Sequence, residues 1–174
     1  IVTAVDKSPV RIERLKDNLA RLKLAATVVE ADAATWAPGT PFDAVLVDVP
    51  CTATGTIRRH PDIPHLKRPD DVAKLAAVQW SILEAAAKLV RPGGRLVYCS
   101  CSLEPEEGER QIERLLAVST GFKRLPIIAR EVGLDPASVT GDGDVRTMPF
   151  DAPGGETVPA GMDGLFIARL RRRA

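Results

Sequence analysis

Two apolar stretches of the sequence run directly into side chains that can do chemistry. The stretch LVDVPC carries Asp48 and Cys51, and the stretch RLVYCSC ends at Cys101. A carboxylate can hydrogen-bond the polar edge of an aromatic base, and a cysteine can attack such a base or move a proton. Proline fixes the backbone just before Cys51. These residues therefore predict that a carboxylate and a thiol converge on one small space.

The Asp-Val-Pro-Cys segment indicates which atom of a base is the target. A related Asp-Pro-Pro-aromatic pattern occurs in enzymes that methylate exocyclic amines, and its last residue is a ring that stacks on the base. Cys51 stands at that position in this chain. The substitution of a thiol for a ring favours chemistry at a carbon of a pyrimidine.

Two further acids follow apolar stretches. Asp6 ends IVTAVD, and Asp32 ends ATVVEAD. A carboxylate at the end of a strand can accept hydrogen bonds from the hydroxyls of a ribose. Each acid alone could equally be a helix cap or a solvated aspartate. Together, at neighbouring strand ends, they favour a cofactor that contains a nucleoside.

Alternating strands and helices are predicted to position these side chains. The predicted strands are IVTAV, ATVVEAD, DAVLVD, RLVYCS and LFIARLRRR. Helices are predicted from Pro9 to about Lys23, from a cap at Asp70 to Leu89, and over EPEEGERQIERLLA, while the glycine- and proline-rich residues 141–164 are predicted as loop. This alternation is typical of an α/β fold with a parallel sheet, where ligands bind beyond the carboxyl ends of the strands.

Composition sets the broad class of the protein. The 174 residues are 45% hydrophobic and 27% charged, which fits one globular domain with a sizeable core. Three cysteines, an odd number, favour a reducing cytoplasm over secretion, and no apolar run is long enough to span a membrane. Basic residues cluster in one loop, where they could bind phosphate or simply be solvated: Arg58, Arg59, His60, His65, Lys67 and Arg68.

Three segments carry a resemblance to a known family. VDVPCTATGTIRRHPDI, LVYCSCSLEPEEGE and GMDGLFIARL closely resemble the bacterial Sun/RsmB group of RNA cytosine-5 methyltransferases, relatives of the NOL1/NOP2/Sun proteins. The resemblance runs from Ile1 to about Leu170. It implies a Rossmann-like class I methyltransferase sheet, S-adenosylmethionine as cofactor and RNA as partner. Small-subunit ribosomal RNA is the expected substrate, with tRNA as the alternative.

The resemblance also implies roles for individual residues. Cys101 matches the nucleophile that adds to carbon 6 of cytosine, and Cys51 matches the cysteine that helps to remove the proton from carbon 5. Asp48 matches the acid at the cofactor and target-base end of the pocket. Asp6 matches the acid that holds the ribose of the cofactor, and Asp32 matches the acid near its adenine. Arg58, Arg59 and His60 are predicted to contact RNA.

The chain departs from the family pattern at several points. Ser100 replaces a threonine before the nucleophile, and Cys99 is an additional thiol that we predict to have a packing role. The glycine-rich cofactor loop and its strand, which lie upstream of Ile1 in the family, are absent. Residues 1–174 are therefore predicted to be a partial methyltransferase domain that lacks an N-terminal RNA-binding region and the first central strand. Direct pairing of IVTAV with AVLVD would refute this prediction.

Three other interpretations compete with this assignment. A metal site is disfavoured because the spacing of its candidate ligands fits no common zinc pattern. A DNA cytosine methyltransferase, in which Cys51 would be the nucleophile, is disfavoured because its Glu-Asn-Val motif is absent. The third interpretation is a catalytically inactive RNA-binding or assembly fragment. The candidate metal ligands are Cys51, Cys99 and Cys101 with His60 or His65.

Overall fold

The structure, a computed structural model, describes residues 1–151 and 161–174. It divides into two compact units, Ile1–Thr40 and Pro41–Ala174, which are described separately. Part of the loop predicted at 141–164, namely 152–160, lies outside the described residues. No described helix is long and apolar enough to cross a bilayer.

The first unit consists of two parallel strands and one helix. Strand β1 (Thr3–Asp6) pairs with β2 (Thr27–Glu30), and helix α1 (Pro9–Leu22) connects them. The Ser8 hydroxyl caps α1 by accepting a hydrogen bond from the backbone of Arg11, and Pro9 lies in the first turn. This confirms the helix predicted from Pro9 to about Lys23.

The second unit is built on a five-stranded sheet with the order β3-β4-β7-β5, in which β6 also pairs with β7. Its strands are β3 (Phe42–Asp48), β4 (Val90–Ser100), β5 (Phe122–Arg124), β6 (Val145–Thr147) and β7 (Leu165–Arg172). Its helices are α2 (Ile63–Leu66), α3 (Pro69–Leu89), α4 (Glu109–Val118) and α5 (Ala129–Val132). Short 3-10 turns occupy Thr54–Thr56, Pro105–Glu107 and Pro136–Ser138.

The sheet is mixed, whereas the sequence pattern predicted a parallel one. Strands β3 and β4 are parallel, as predicted, because α3 provides the crossover between them. Strand β7, however, is antiparallel to both β4 and β5 and lies between them. The α/β class is confirmed, and the error concerns the direction of the closing strand.

Two other predictions about elements are wrong. Helix α3 begins at Pro69, so its cap position is Arg68 and not Asp70, because the proline takes the first helical position. Within the predicted loop, Val145–Thr147 forms β6, which is too short to give a periodic signal.

The core of the second unit lies between the sheet and helices α3 and α4. Leu83, Leu96 and Ile112 are fully buried there. The rings of Tyr98 on β4 and Phe166 on β7 pack edge to face, with centroids 6.4 Å apart. Strand β4 is therefore held on the helix side by α3 and within the sheet by β3 and β7.

Strands β1 and β3 belong to different sheets. Strand β1 pairs with β2, while β3 is the edge strand beside β4. The pairing of IVTAV with AVLVD that would refute the absent central strand does not occur among residues 1–151 and 161–174. The absence of that strand stays a prediction.

Candidate active site

Cys51 and Cys101 lie beside each other beyond the carboxyl ends of β3 and β4. Because the two strands are parallel neighbours, with Asp48 opposite Cys99, the segments that follow them leave the sheet at the same edge. The two sulfur atoms are 3.2 Å apart, and both side chains are half-buried. The structure thus joins two thiols that are far apart in the sequence.

Backbone hydrogen bonds fix the two cysteine segments to each other. The amide of Val49 donates to the carbonyl of Cys99 (3.2 Å), and the amide of Gly55 donates to the carbonyl of Cys101 (2.9 Å). Gly164 then donates to the carbonyl of Gly55 (2.7 Å), which ties the start of β7 to the same place. A shift of either segment would therefore break bonds to the other.

Hydroxyl groups add a second set of links between the segments. Ser102 Oγ lies 3.2 Å from the hydroxyls of both Thr52 and Thr54. The hydroxyl of Thr54 also accepts a hydrogen bond from the amide of Leu103 (2.9 Å). Thr52 and Ser102 are buried, so these bonds form away from solvent. Such satisfied polar contacts rigidify a site because breaking one leaves a buried group unpaired.

The two thiols hold one proton between them. The hydrogen bond from Cys101 lowers the pKa of Cys51 to about 6, against the effect of burial. The Ser100 hydroxyl and the Ala53 backbone lower the pKa of Cys51 further. Ser100 Oγ nevertheless makes no hydrogen bond of regular geometry among the described residues. The pKa of Cys101 is raised because it keeps the shared proton, because it is partly buried, and because Cys51 and Asp48 carry negative charge nearby. At neutral pH the pair therefore carries a single negative charge.

This sharing predicts an unusual pH dependence of alkylation. Only a thiolate reacts, so the reaction of wild-type protein with iodoacetamide should rise through a midpoint near pH 6. Cys101→Ala removes the donor and should move the midpoint for Cys51 to higher pH, because an unassisted thiolate is less stable. Mass spectrometry of each cysteine across a pH series measures both midpoints. Wild-type alkylation centred near the ordinary thiol value of about 8.5 would contradict the shared proton.

Cys99 is chemically different from this pair. Its thiol donates a hydrogen bond to the carbonyl of Val47 (3.2 Å). Burial, assisted by the charge of Asp48, raises the pKa of Cys99 to about 11, so the thiol stays protonated at neutral pH. These contacts favour the packing role predicted for Cys99.

Asp48 offers a free carboxylate next to the thiols. It is the last residue of β3, its side chain is exposed, and it has no hydrogen-bond partner within the described part of the chain. The charge of Asp48 raises the pKa of both Cys99 and Cys101, so its carboxylate lies close to these two thiols. An exposed, unpaired carboxylate in this position can accept hydrogen bonds from a bound base.

A buried carboxylate, Glu107, lies behind the Cys51 segment and was missed by the sequence analysis. It accepts hydrogen bonds from the amide of Thr52 (3.0 and 3.2 Å), from the hydroxyl of Thr52, and from Gln79 Nε2 (2.9 Å). Gln79 also donates to the carbonyl of Pro50 (2.8 Å), and Tyr98 donates to the carbonyl of Glu107 (2.8 Å). The sequence did contain this residue in an acidic turn, but acids at a helix start are ordinarily exposed.

Asp6 and Asp32 lie together in the first unit. Asp6 accepts hydrogen bonds from the Ser8 amide (2.7 Å) and from Arg11 Nε and Nη2 (2.7 and 2.8 Å). The guanidinium of Arg11 is the main reason that the pKa of Asp6 is lowered. Asp32 accepts from the amide of Ala34 (2.9 Å) and lies 3.8 Å from Lys7 Nζ. Asp6 is the last residue of β1, as predicted, whereas β2 ends at Glu30 and Asp32 lies two residues beyond it.

The three residues predicted to contact RNA surround one carboxylate, Asp163. Arg59 Nε donates to both oxygens of Asp163 (3.0 and 2.8 Å), and Arg58 lies 3.8 Å from it. Arg59 lowers the pKa of Asp163 most, and the charges of Arg58 and His60 lower it further. Asp163 lies in the GMDGLFIARL segment, but its sequence context predicts no role for it. The basic loop is thus partly neutralised by an acid that precedes β7.

Arg146, on β6, supports the Cys101 segment and was also missed. Its guanidinium donates to the carbonyl of Ser102 (2.6 Å) and to both carboxylate oxygens of Glu109 (3.0 and 2.6 Å). It also lies over the ring of Phe166, 5.0 Å from the centroid. No sequence signal marked Arg146, because it falls in the stretch predicted as loop.

The surroundings of the pair offer space but no metal cluster. A groove of about 440 Å³ lies beside the Cys51 segment, and Thr52, Thr54, Lys67, Arg68 and Glu104 contribute to its walls. Within residues 1–151 and 161–174, no group of three or more His, Cys, Asp or Glu side chains is arranged to hold a metal ion.

Comparison with known proteins assigns the sequence to a described family. A family model described as 16S rRNA methyltransferase RsmB/F matches residues 1–171. Ribosomal RNA small subunit methyltransferase B of Vibrio cholerae is 41% identical over 99% of this chain, and the protein of that name from Salmonella paratyphi B is also 41% identical over 99%. The chain spans 36% and 37% of the lengths of these relatives.

Solved structures share the fold of the chain. The crystal structure of PH0851 has a TM-score of 0.83 and 34% identity, covering 98% of this chain and 36% of its own. NSun6 from Pyrococcus horikoshii with SFG has a TM-score of 0.77 and 27% identity, covering 99% of this chain and 41% of its own. A methyltransferase homolog protein from Pyrococcus horikoshii has a TM-score of 0.76 and 27% identity over 99% of this chain and 53% of its own. These neighbours confirm the Rossmann-like class I methyltransferase fold.

Proposed function

The chain belongs to the 16S rRNA methyltransferase RsmB/F family, and on that premise we propose that it methylates carbon 5 of a cytosine in RNA through a covalent cysteine adduct. The observation that carries the proposal is the pair of thiols, 3.2 Å apart, beside the exposed carboxylate of Asp48. Chemistry at an exocyclic amine needs no thiol, whereas chemistry at carbon 5 needs a nucleophile and a base close together.

The first step uses Cys101 as the nucleophile. Carbon 5 of cytosine is a poor nucleophile because the ring is aromatic and electron-poor. When the Cys101 thiolate bonds to carbon 6, the adduct becomes enamine-like and carbon 5 can accept a methyl group. The anionic ring formed by this addition takes up a proton from solvent at its ring nitrogen, and Asp48 stabilises the adduct by accepting hydrogen bonds from that N–H and from the amino group. For this step the shared proton must sit on Cys51.

The second step uses Cys51 to remove the proton of carbon 5. Once Cys101 is bonded to carbon 6 it no longer carries a charge, so Cys51 can release its proton to solvent without placing two negative sulfurs 3.2 Å apart. The Cys51 thiolate then takes the proton from carbon 5, and the bond between carbon 6 and Cys101 breaks. The pair returns to its resting state with one proton and one negative charge.

S-adenosylmethionine is the proposed cofactor, and its sulfonium supplies the methyl group when it is bound. NSun6, a structural neighbour, is described with SFG. We propose that Asp6 holds the ribose and Asp32 lies near the adenine. Asp6 Oδ1 already accepts hydrogen bonds from Ser8 and Arg11, whereas Oδ2 accepts one, from Arg11 Nε, and can accept a second. The side chain of Asp32 accepts one hydrogen bond, from Ala34. Both residues therefore fit hydroxyl or amine donors of a nucleoside.

RNA binding is proposed to use Arg58, Arg59 and His60, with small-subunit ribosomal RNA as the expected substrate and tRNA as the alternative. The target base must leave its stack to reach the thiols, at a cost of a few kcal/mol. Contacts to the flanking phosphates can supply that energy. Lys67 and Arg68, beside the 440 Å³ groove, extend the basic surface next to Cys51.

The ion pair between Arg59 and Asp163 gives a prediction about RNA affinity. Asp163→Asn removes a negative charge and frees Arg59, so it should tighten RNA binding and steepen the salt dependence by about one unit of slope. Arg59→Ala should do the opposite. Fluorescence anisotropy with labelled RNA at several salt concentrations measures both effects. Equal affinities in both variants and in wild type would show that this loop does not meet phosphate.

Product analysis tests the proposed reaction. The full-length protein is incubated with S-adenosylmethionine and small-subunit ribosomal RNA, and the nucleosides are then separated by chromatography against standards and identified by mass spectrometry. We expect 5-methylcytidine, and the same assay on tRNA decides between the two substrates. A methyl group on an exocyclic amine or on ribose would refute the proposed chemistry.

A further inference from the structure

Glu107 is a fully buried carboxylate that has no cationic partner among the described residues. None of the described lysine, arginine or histidine side chains forms an ion pair with it, and its hydrogen bonds come from Thr52 and Gln79. A buried carboxylate is costly unless it is well hydrogen-bonded. A neutral side chain would fill this position at lower cost, so the negative charge calls for a reason beyond packing.

The bonds of Glu107 converge on the segment that carries Cys51. The amide and hydroxyl of Thr52, the residue after Cys51, both donate to Glu107. Gln79, which also binds Glu107, donates to the carbonyl of Pro50, the residue before Cys51. Glu107 itself belongs to the segment that follows Cys101. The network therefore holds the Cys51 segment on both sides and links it to the Cys101 segment.

The charges around the sulfur pair are arranged asymmetrically. Glu107 disfavours the Cys51 thiolate, whereas Asp48 disfavours the Cys101 thiolate. The other groups that face the pair are Tyr98, whose own pKa is raised by burial so that it stays neutral, and Arg59, whose charge interacts favourably with Cys101. One buried acid thus acts on Cys51, and one exposed acid acts on Cys101.

From this asymmetry we propose that Glu107 is a positioning residue that fixes the Cys51 segment and biases the shared proton toward Cys51, so that the negative charge becomes available on Cys101. The inference rests on the proposed function, which requires Cys101 to attack. When a base binds to Asp48, hydrogen bonds to that carboxylate reduce its repulsion of Cys101, while the buried contacts of Glu107 with Thr52 and Gln79 stay unchanged. Substrate binding then moves the proton in the direction that activates the nucleophile.

The test compares Glu107→Gln with Glu106→Gln in the full-length protein. The amide that Glu107→Gln introduces is nearly isosteric with the carboxylate and can still bond Thr52 and Gln79, so the main change is the lost charge. Glu106 lies in the same turn but pairs with Arg110 on the surface, and its substitution is the matched control. Cys51 and Cys101 are alkylated separately across pH and quantified by mass spectrometry, and thermal unfolding confirms that each variant is folded.

In Glu107→Gln we expect the midpoint for Cys51 to move to lower pH. The ratio of Cys51 to Cys101 alkylation at neutral pH should rise at least about threefold, the change that half a pKa unit produces. Glu106→Gln should match wild type. If Glu107→Gln does not fold, Thr52→Val provides the test. This variant removes a hydroxyl that donates to Glu107, so the carboxylate should repel the Cys51 thiolate more strongly and shift the alkylation midpoint of Cys51 to higher pH.

An unchanged midpoint and ratio in a folded Glu107→Gln protein, or in Thr52→Val where it alone folds, would overturn the proposal. This readout needs neither RNA nor S-adenosylmethionine. A failure of the proposed methylation would leave the alkylation result intact, and a failure of the alkylation prediction would leave the reaction at carbon 5 untouched. The two outcomes are therefore distinguishable.

Discussion

Cys101→Ala should lower methyl transfer by about 10⁴-fold or more, the effect typical of removing a catalytic nucleophile. Without the sulfur of Cys101 no bond to carbon 6 can form, and carbon 5 stays unreactive. The measurement uses the full-length protein, S-adenosylmethionine and RNA carrying a cytosine analogue that traps the adduct. Wild-type protein should form a covalent complex that survives denaturation, and Cys101→Ala should form none.

Cys51→Ala should give the opposite signature in the same experiment. The adduct should still form, because Cys101 is present, but release should be slow because no thiolate removes the proton of carbon 5. Cys99→Ala is the matched control, since Cys99 lies next to the site and keeps its proton. Because the lowered pKa of Cys51 favours the thiolate on Cys51 in the resting pair, a mechanism in which Cys51 is the nucleophile competes with the proposed one. If Cys51→Ala abolishes the covalent complex and Cys101→Ala does not, Cys51 is the nucleophile, as in the DNA-type mechanism.

Gly55→Ala should damage both stability and activity. A Cβ atom on Gly55 would lie 2.0 Å from the carbonyl oxygen of Gly164 and 2.8 Å from that of Cys101. Both neighbours are backbone atoms, so the chain itself must move. Such overpacking typically costs about 1–3 kcal/mol, and a displacement of the Cys101 segment by about 1 Å can lower the rate about 100-fold. Urea unfolding and single-turnover methylation measure the two effects.

Gly141→Ala is the matched control for this substitution. A Cβ atom on Gly141 meets nothing within 4 Å. Its free energy of unfolding and its methylation rate should equal those of wild type. A Gly55→Ala protein with wild-type stability and rate would show that the contact between the two glycine segments does not hold the Cys101 segment in place.

The two strand ends that form the candidate site could be predicted from the sequence, because each is marked by a pattern of neighbouring residues. An apolar β-branched run followed by an acid and a cysteine marks Asp48 and Cys51 without any long-range information. Since β3 and β4 are linked by one long helix, their parallel pairing could also be predicted. That pairing brings Cys51 next to Cys101, so the core of the candidate site followed from local patterns and one topological rule.

Other features depend on contacts between distant residues, which local patterns do not encode. Glu107 is as acidic in sequence as its exposed neighbour Glu106, and its burial follows from the path of the 3-10 turn against Gln79. The ion pair between Arg59 and Asp163 depends on the position of the segment that precedes β7. The antiparallel direction of β7 is defined by its pairing with β4 and β5, whose residues are distant in the sequence. None of these could be inferred from spacing or composition.

The position of β7 also bears on how the protein is made. Strand β7 lies between β4 and β5, yet it is synthesised after both. Until Leu165–Arg172 leaves the ribosome, β5 lacks its partner strand and one edge of β4 is open, which exposes a nascent chain to incorrect pairing. Gly164, which binds the Cys51 segment, arrives at the same moment. The thiol pair therefore reaches its final geometry only after β7 has been synthesised, and a nascent chain that ends before β7 should carry both cysteines but not the active arrangement.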